Sequence, residues 1–332
     1  MNLTDFFCKL PNPIKTISAS AWGYYLKWLH YGSKTEELID KALDREFWSH
    51  STWEEWRERQ LENLLNHAAT TVPYYRTYWE QRRKKGDRAR WDILENWPLL
   101  EKETVRDNPV IFISDKSKRK HLFSDHTSGT TGKPTQVFFS RDVILKWFAL
   151  YEARTKRWFD LSYKDKWGMF GGRKVIPLNQ NKPPFWVWNK GLNQIYFSIY
   201  HITQETAKEY ISALWHFSPK YLVVYPSTLS VLSRFILEND LETPPIKAII
   251  CNAESVTENY RKIIKNAFNC PVVETYGMVE MLSAYSQCQD GCMHFWPEVG
   301  FAEIFDPINS TFSQQEGQSG QFAFTSILNL DM

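Results

Sequence analysis

Between residues 136 and 276, short apolar runs rich in branched and aromatic side chains alternate with segments of helical period, and this alternation restricts the fold more than any other feature of the chain. The runs are QVFF (136–139), WGMF (167–170), YLVVY (221–225), AII (248–250) and PVVETY (271–276). Helical patterns run from Asp142 to Phe159, near 204–215, from Ser227 onward and near 257–268. Apolar strands separated by helices predict a largely parallel sheet flanked by helices, because parallel neighbours need a crossover connection. The predicted fold class is α/β.

The flanking regions have a different texture. Residues 1–120 are predicted to form a helical N-terminal region, in which HSTWEEWRERQLENLLNHAA offers Ser51 as an N-cap with Glu54 three residues on. Leu61, Leu64, Leu65 and Ala68 then follow along one face. Residues 121–296 are assigned to the α/β core, and 297–332 to the start of a small β subdomain, from VGFAEIFD and GQFAFTSI. Linkers are expected at 178–184 and 307–320.

Charge argues for a small partner. Lys+Arg 40 against Asp+Glu 38 leaves a formal net charge of +2, so no global field draws the chain onto nucleic acid or an anionic membrane. The basic runs at 82–85 and 116–120 are not interleaved with aromatics and are read as solvated surface. Five cysteines, at 8, 251, 270, 288 and 292, are odd in number and scattered, unlike a secreted disulfide framework, and point to a reducing cytoplasm. The first residues lack a basic region followed by an apolar core, and no segment approaches the roughly 18 apolar residues of a membrane span. The 15 Trp are read as core and loop packing.

The segment HTSGTTGKPTQVFFS (126–140) carries the most specific chemistry. Glycines among hydroxyl residues let backbone N–H groups converge on a phosphate, and Lys133 supplies a point charge. A Walker A loop is excluded by spacing, because Gly129 and Gly132 are three apart, Pro134 follows Lys133, and a strand follows where a helix is required. By composition alone, a Gly/Thr-rich hairpin loop fits as well. The order Thr127-Ser128-Gly129-Thr130-Thr131-Gly132-Lys133-Pro134, however, resembles without mismatch the phosphate loop of the adenylate-forming superfamily of acyl-CoA synthetases and adenylation domains. The resemblance implies ATP-binding positions at Thr127, Ser128, Gly129, Thr130, Thr131, Gly132 and Lys133, with Ser128, Thr130, Thr131 and Lys133 bonding the β- and γ-phosphates.

Two further segments support it. Glu274-Thr275-Tyr276-Gly277-Met278-Val279-Glu280 resembles the family's Tyr-Gly-x-Thr-Glu, which implies Tyr276 stacked on adenine, Gly277 beside it and Glu280 holding Mg²⁺. Val279 departs from the pattern and removes a hydroxyl from the α-phosphate, with Thr275 and Ser283 as candidate substitutes. Asn252-Ala253-Glu254 resembles the segment whose backbone lies along the adenine plane; an ordinary strand-to-helix turn is the alternative.

The helical preface, YPSTLSVLSRF (225–235) and CQDGCMHFWPEVGFAEIFD resemble the phenylacetate-CoA ligase-like branch and its relatives from polysaccharide gene clusters. That match implies Tyr225 and Ser227 at the acyl or adenosine pocket, where a strand end and an N-cap is the other reading. It also raises Zn²⁺ at Cys288 and His294 near Cys292, against buried thiols beside a turn, since three such groups fall short of a closed four-ligand site. His126 and His201 are candidates to approach a carboxylate or are structural. The expected function is ATP-dependent carboxylate activation through an acyl-adenylate, followed by transfer to CoA or another acceptor, with Lys133, Thr130 and Glu280 catalytic. Family members continue into an Arg-x-x-Gly-Asp segment and a C-terminal domain carrying a lysine, whereas this chain stops at SILNLDM. Incomplete turnover is therefore expected, and the alternative is a non-catalytic nucleotide-binding or assembly protein.

Overall fold

The computed structural model describes residues 3–127, 134–309, 311–313, 317 and 319–332. Its helices are α1 (Leu3–Lys9), α2 (Asn12–His30), α3 (Thr35–Asp44), α4 (His50–Thr71), α5 (Pro73–Lys84), α6 (Lys102–Asp107), α7 (Arg141–Tyr151), α8 (Ala207–Phe217), α9 (Pro226–Glu238) and α10 (Glu258–Phe268). Its strands are β1 (Phe123–His126), β2 (Gln136–Phe139), β3 (Trp167–Gly171), β4 (Trp186–Asn189), β5 (Gln194–Ser198), β6 (Tyr221–Val224) and β7 (Ala248–Cys251). They continue with β8 (Val272–Gly277), β9 (Ala284–Gln287), β10 (Met293–Phe295), β11 (Gly300–Asp306), β12 (Thr311–Ser313) and β13 (Gln321–Ser326). The fold is α/β. No helix among the described residues is long and apolar enough to cross a membrane.

The chain divides into two units. The first comprises Met1–Lys34, Tyr151–Tyr276 and Tyr285–His294, and the second Thr35–Leu150, Gly277–Ala284 and Phe295–Met332. The first is built on an eight-stranded sheet of order β10-β9-β8-β7-β6-β3-β5-β4. Within it β5, β3, β6, β7 and β8 run parallel. All four residues of β6 and of β7 are buried, as expected where helices cover both faces. Successive side chains alternate between two cores. Leu222, Val224, Ile249 and Cys251 join the layer containing Leu214, Leu229 and Ile264, while Tyr221, Val223, Ala248 and Ile250 meet Phe159 and Leu161 on the other side.

Two expectations are corrected here. QVFF does not join the parallel series: β2 pairs antiparallel with β1 in a separate ribbon, because a short connection returns the chain beside itself. Residues 178–184 lie inside the first unit, and the aromatic stretch after them forms β4 and β5, with β4 antiparallel at the sheet edge. Helix α2 covers that edge, as sheet edges require. Close approach depends on two glycines: a Cβ at Gly23 would lie 1.8 Å from Asn189 Oδ1, and one at Gly191 2.2 Å from the Tyr24 nitrogen. Lys190 N–H also donates to Ser20 Oγ at 3.0 Å.

Beyond α7 the expected helix to Phe159 continues but changes pitch, with a π-turn over Glu152–Lys156 and a 3₁₀ turn over Arg157–Phe159. The π-turn buries a carboxylate and an ammonium together. Glu152 Oε1 accepts from Lys156 Nζ at 2.5 Å and from Tyr31 Oη at 3.2 Å, and Oε2 accepts from Tyr163 N–H at 2.9 Å. Tyr31 stacks on Tyr163 at 3.9 Å, and the ammonium lies 5.4 Å from the Tyr221 ring centre. Burial alone would depress the Lys156 ammonium, but Tyr31, Glu152 and Tyr151 outweigh it and raise it above its ordinary value.

The second unit holds α3 to α6 and most of α7. Helix α4 starts one residue before Ser51, and Ser49 is the actual cap, accepting from Thr52 N–H at 3.2 Å. Leu65 and Ala68 are buried as expected. Strand β11 pairs antiparallel with β12 and β13. Asp331 binds the last residues to this unit: its carbonyl accepts from Ser114 N–H at 2.9 Å, and its carboxylate from Ser117 Oγ at 2.7 Å and Ser140 N–H at 2.8 Å.

Removing one partner of the buried pair leaves the other charge uncompensated. Glu152→Gln is expected to lower the free energy of unfolding by about 3–5 kcal/mol in urea titrations, and Glu152→Leu/Lys156→Met to recover most of the loss. His30 responds to the same ammonium: burial first, then Lys156, lower its pKa from 6.5 to about 4. The unfolded state then takes up a proton that the folded state refuses. Stability is therefore complete above the unfolded value of about 6.5 and declines as pH falls through the folded value of about 4, by roughly 3 kcal/mol. The difference in unfolding free energy between wild type and His30→Leu across this window measures it.

Candidate nucleotide site

In the first unit the parallel strands β6, β7 and β8 end side by side, and their carboxyl ends place Tyr225, Asn252 and Tyr276 in neighbouring positions. Ligands of open α/β sheets bind at such ends because the faces are already occupied by packed helices. Tyr225 sits at the N-cap position of α9 without a side-chain cap bond, and Pro226 begins the helix. The cap comes from the neighbouring strand instead. Glu254 Oε2 accepts from Ser227 N–H at 3.1 Å, fixing the turn after β7 to the start of α9. The other side of the turn is held by Glu274, whose Oε1 accepts from Val256 N–H at 3.1 Å and whose Oε2 lies 3.5 Å from Arg261.

Between these anchors Ala253 adopts φ 64°, the left-handed region that a residue with a Cβ occupies at a cost. Asn252 N–H donates to the Val224 carbonyl at 3.1 Å. Its side-chain Oδ1 is buried and has no hydrogen-bond partner among the described residues. Tyr276 is 48 % exposed and meets Tyr285 edge-on at 5.8 Å, leaving ring surface available for stacking.

At the carboxyl ends of β3 and β5 the structure gathers residues that no motif announces. Tyr200 Oη donates to the Gly172 carbonyl at 2.6 Å, Tyr196 Oη accepts from Arg173 N–H at 3.0 Å, and Tyr225 N–H donates to the Phe170 carbonyl at 3.0 Å. A Cβ on Gly172 would come within 3.3 Å of the Tyr225 ring, so this glycine admits the tyrosine. Burial raises the Tyr196 phenol above its ordinary value, with Arg173 pulling the other way. The sequence signal was faint: Gly171-Gly172-Arg173 directly after a strand.

In the second unit, Thr127 closes the β1–β2 ribbon at the base of the glycine segment. Its N–H donates to the Thr135 carbonyl at 3.1 Å, and its Oγ1 accepts from Thr135 N–H at 3.0 Å. Ser128, Gly129, Thr130, Thr131, Gly132 and Lys133 lie outside the described residues. Glu280 is 15 % exposed in its side chain and pairs with Lys102 Nζ at 3.0 Å. Lys102 lies too far away in sequence for local spacing to reveal the contact. Gly277 lies nearby, where an added Cβ would stand 3.7 Å from Trp147.

No protein-family model matches the chain. Protein CapK of Staphylococcus aureus is 31% identical over 247 residues, covering 71% of this chain and 52% of that protein. Phenylacetate-coenzyme A ligase of Pseudomonas putida is 25% identical over 288 residues, covering 82% of this chain and 62% of the ligase. The solved structure of 2-hydroxyisobutyryl-CoA ligase, in complex with 2-HIB-AMP and CoA, superposes with a TM-score of 0.60 at 16% identity over 85% of this chain and 61% of that chain. The chain belongs to the phenylacetate-CoA ligase-like branch of the adenylate-forming superfamily. It spans between half and two thirds of the length of these relatives.

At Val279 this chain departs from the motif, and two hydroxyl residues lie close to it in sequence. Thr275 Oγ1 already donates to the Cys251 carbonyl at 2.8 Å. Ser283 is fully buried, its hydroxyl without a hydrogen-bond partner among the described residues. His201 is engaged on both ring nitrogens, with Ser198 Oγ at 2.8 Å and the Pro177 carbonyl at 3.1 Å, and is structural; His126 is exposed on β1. Cys288 N–H donates to the Cys292 carbonyl at 2.9 Å across a tight turn, and His294 packs edge-on against Trp158 at 5.5 Å. Among the described residues no group of three or more His, Cys, Asp or Glu is placed to hold a metal. Glu280 as a lone carboxylate fits Mg²⁺ better, because that ion keeps waters and takes phosphate oxygens beside one or two carboxylates.

The strained turn gives a direct test. Ala253→Gly is expected to keep or raise stability by up to about 1 kcal/mol, and Ala253→Val to lower it by about 1–2 kcal/mol, because a branched side chain tolerates positive φ least. Thermal and urea unfolding of the two variants measure the difference.

Proposed function

We propose that the chain binds ATP and a carboxylic acid and forms an acyl-adenylate. A carboxylate oxygen attacks the α-phosphorus, the bond to the β-phosphoryl oxygen breaks, and pyrophosphate leaves. A thiol, CoA in the first instance, or another nucleophile then attacks the acyl carbon and AMP departs. The observation that supports this reading is that one sequence carries both the unmismatched phosphate segment at 127–134 and the Tyr276-Gly277 segment, in a chain whose relatives include phenylacetate-coenzyme A ligases.

Residue roles follow from chemistry. Ser128, Thr130 and Thr131 donate to the β- and γ-phosphates, Gly129 and Gly132 allow the backbone to close on them, and Lys133 neutralises charge on the departing pyrophosphate. Thr127 anchors the clamp to its ribbon. Tyr276 stacks on the base with Gly277 beside it, Asn252, Ala253 and Glu254 shape the adjacent turn, and Thr275 holds β8 to β7. Tyr225, with Ser227 at the head of α9, borders the acyl or adenosine pocket. Glu280 would hold Mg²⁺, which when bound supplies charge neutralisation at the phosphates. No general base is needed, since the attacking carboxylate is already ionised; positioning and charge neutralisation supply the acceleration. The acid is proposed to be aromatic or one destined for a glycan, in line with the two kinds of relative. The five unpaired cysteines support a reducing compartment, the cytoplasm.

One observation favours a second reading. With Val279 lacking a hydroxyl and Thr275 and Ser283 otherwise placed, the α-phosphate loses a donor, which suits nucleotide binding without turnover. Pyrophosphate exchange into ATP, measured with a panel of aryl and amino acids, separates the two. Turnover is expected to fall at least about 100-fold in Lys133→Ala, and nucleotide affinity about tenfold in Tyr276→Ala. ATP binding lost in Tyr276→Ala with no exchange for any acid supports the binding protein; absence of nucleotide binding in the wild type overturns both.

A further inference from the structure

The carboxyl ends of β3 and β5 carry more hydrogen-bond donors than the fold itself uses. Tyr196 of β5, Tyr200 just beyond it and Tyr225 at the head of α9 converge on the turn Gly171-Gly172-Arg173. A Cβ at Gly171 would lie 2.7 Å from Tyr196 Oη and one at Gly172 3.5 Å from Tyr225 Oη, so the two glycines let the phenols close on the turn. Tyr200 gives its proton to the Gly172 carbonyl. Tyr196 Oη accepts from Arg173 N–H and still has its own proton to give. Among the described residues the Tyr225 phenol has no hydrogen-bond partner, and no carboxylate pairs with Arg173. After burial, the influences on the Tyr196 phenol come from Arg173, Tyr225 and Tyr200, which places the four side chains in one neighbourhood. Arg173 is exposed and Tyr196 and Tyr225 are half-buried, so the group is open to a ligand.

Arg173 can only donate, and two of the phenols beside it have protons to spare. Donors gathered without a carboxylate suit an anion, and the guanidinium fork matches the two oxygens of a carboxylate. We propose that Arg173, with the phenols of Tyr196 and Tyr225, holds a second carboxylate on the acid, so that the substrate is a dicarboxylic acid. The subsite rests on the acyl-adenylate reading, whose acid it narrows. Position separates this carboxylate from the reacting one. In the sheet β3 is two strands from β7 and three from β8, so its end lies about 10 Å and about 14 Å from the ends proposed to hold the base. A carboxylate with both oxygens engaged by a guanidinium is also a poor nucleophile, so the carboxyl that attacks phosphorus is the other one. Tyr200 acts as a positioning residue, since its bond to Gly172 fixes the turn that presents Arg173.

Two measurements with matched acids test the subsite: isothermal titration in the presence of α,β-methylene-ATP, and pyrophosphate exchange into ATP. The pairs are glutarate against pentanoate, adipate against hexanoate, and 4-carboxyphenylacetate against phenylacetate. The wild type is expected to favour the dicarboxylic member of at least one pair by about tenfold or more. Arg173→Gln is expected to cut that preference at least about tenfold, Arg173→Lys to keep part of it, and Lys174→Ala to leave it unchanged. Arg173→Glu is expected to turn the preference toward 6-aminohexanoate, which a merely structural role would not do. Exchange without the preference, or a preference that survives Arg173→Gln, overturns the subsite and leaves adenylate formation standing. Dicarboxylate binding that Arg173→Gln removes, with no exchange for any acid, supports the subsite and overturns adenylate formation. A loss in Arg173→Gln confined to ATP or CoA affinity overturns the subsite, as does a wild type that binds none of the acids.

Discussion

A parallel sheet buried on both faces leaves polar chemistry only the ends of its strands. In this protein β6 and β7 have no exposed residue, so an ionisable side chain within them would be stranded away from water. The chain therefore turns polar at the carboxyl ends, at Tyr225, Asn252 and Thr275 to Tyr276. The turn after β7 is then stiffened by two carboxylates from outside it, Glu254 on the head of α9 and Glu274 on Val256. Ala253 keeps its left-handed backbone because both neighbours are tied down.

The Glu152–Lys156 pair fixes the opposite side of the same sheet. A regular helix through residue 159 would have kept its hydrogen-bond register; the π-turn changes it and presents carboxylate and ammonium to each other in a buried space. Tyr31 and Tyr163 satisfy the remaining carboxylate valences, so the segment following α2 is tied to the core through the same pair. The edge at β4 is protected by α2 through two glycines and a serine.

How far the sequence was legible depended on the range of the interaction. YLVV, AII and VVETY were recognisable as strands because burial on both faces leaves a continuous apolar signature. The segments resembling family motifs were recognisable because each resemblance resides in consecutive residues. The antiparallel β4 was not, since Trp186 and Trp188 alternate with Val187 in a way that loop packing also permits. The cap of α4 shifted from Ser51 to Ser49 because both are serines and only backbone geometry distinguishes them. Lys102 beside Glu280, and Arg173 beside Tyr196, are contacts between residues remote in sequence that share no pattern.

The sequence by itself determined the α/β class, the positions of several central strands and helices, and the order of the segments that resemble a phosphate loop and its partner motifs, because periodicity and motif order act over a few neighbouring positions. Tertiary structure alone decided that QVFF leaves the main sheet, that Thr275 spends its hydroxyl on Cys251, that Ser283 is buried, and that Glu152 and Lys156 neutralise each other. Each of these depends on which partner a side chain meets across the fold. That choice is made by packing and desolvation, which no short stretch of sequence contains.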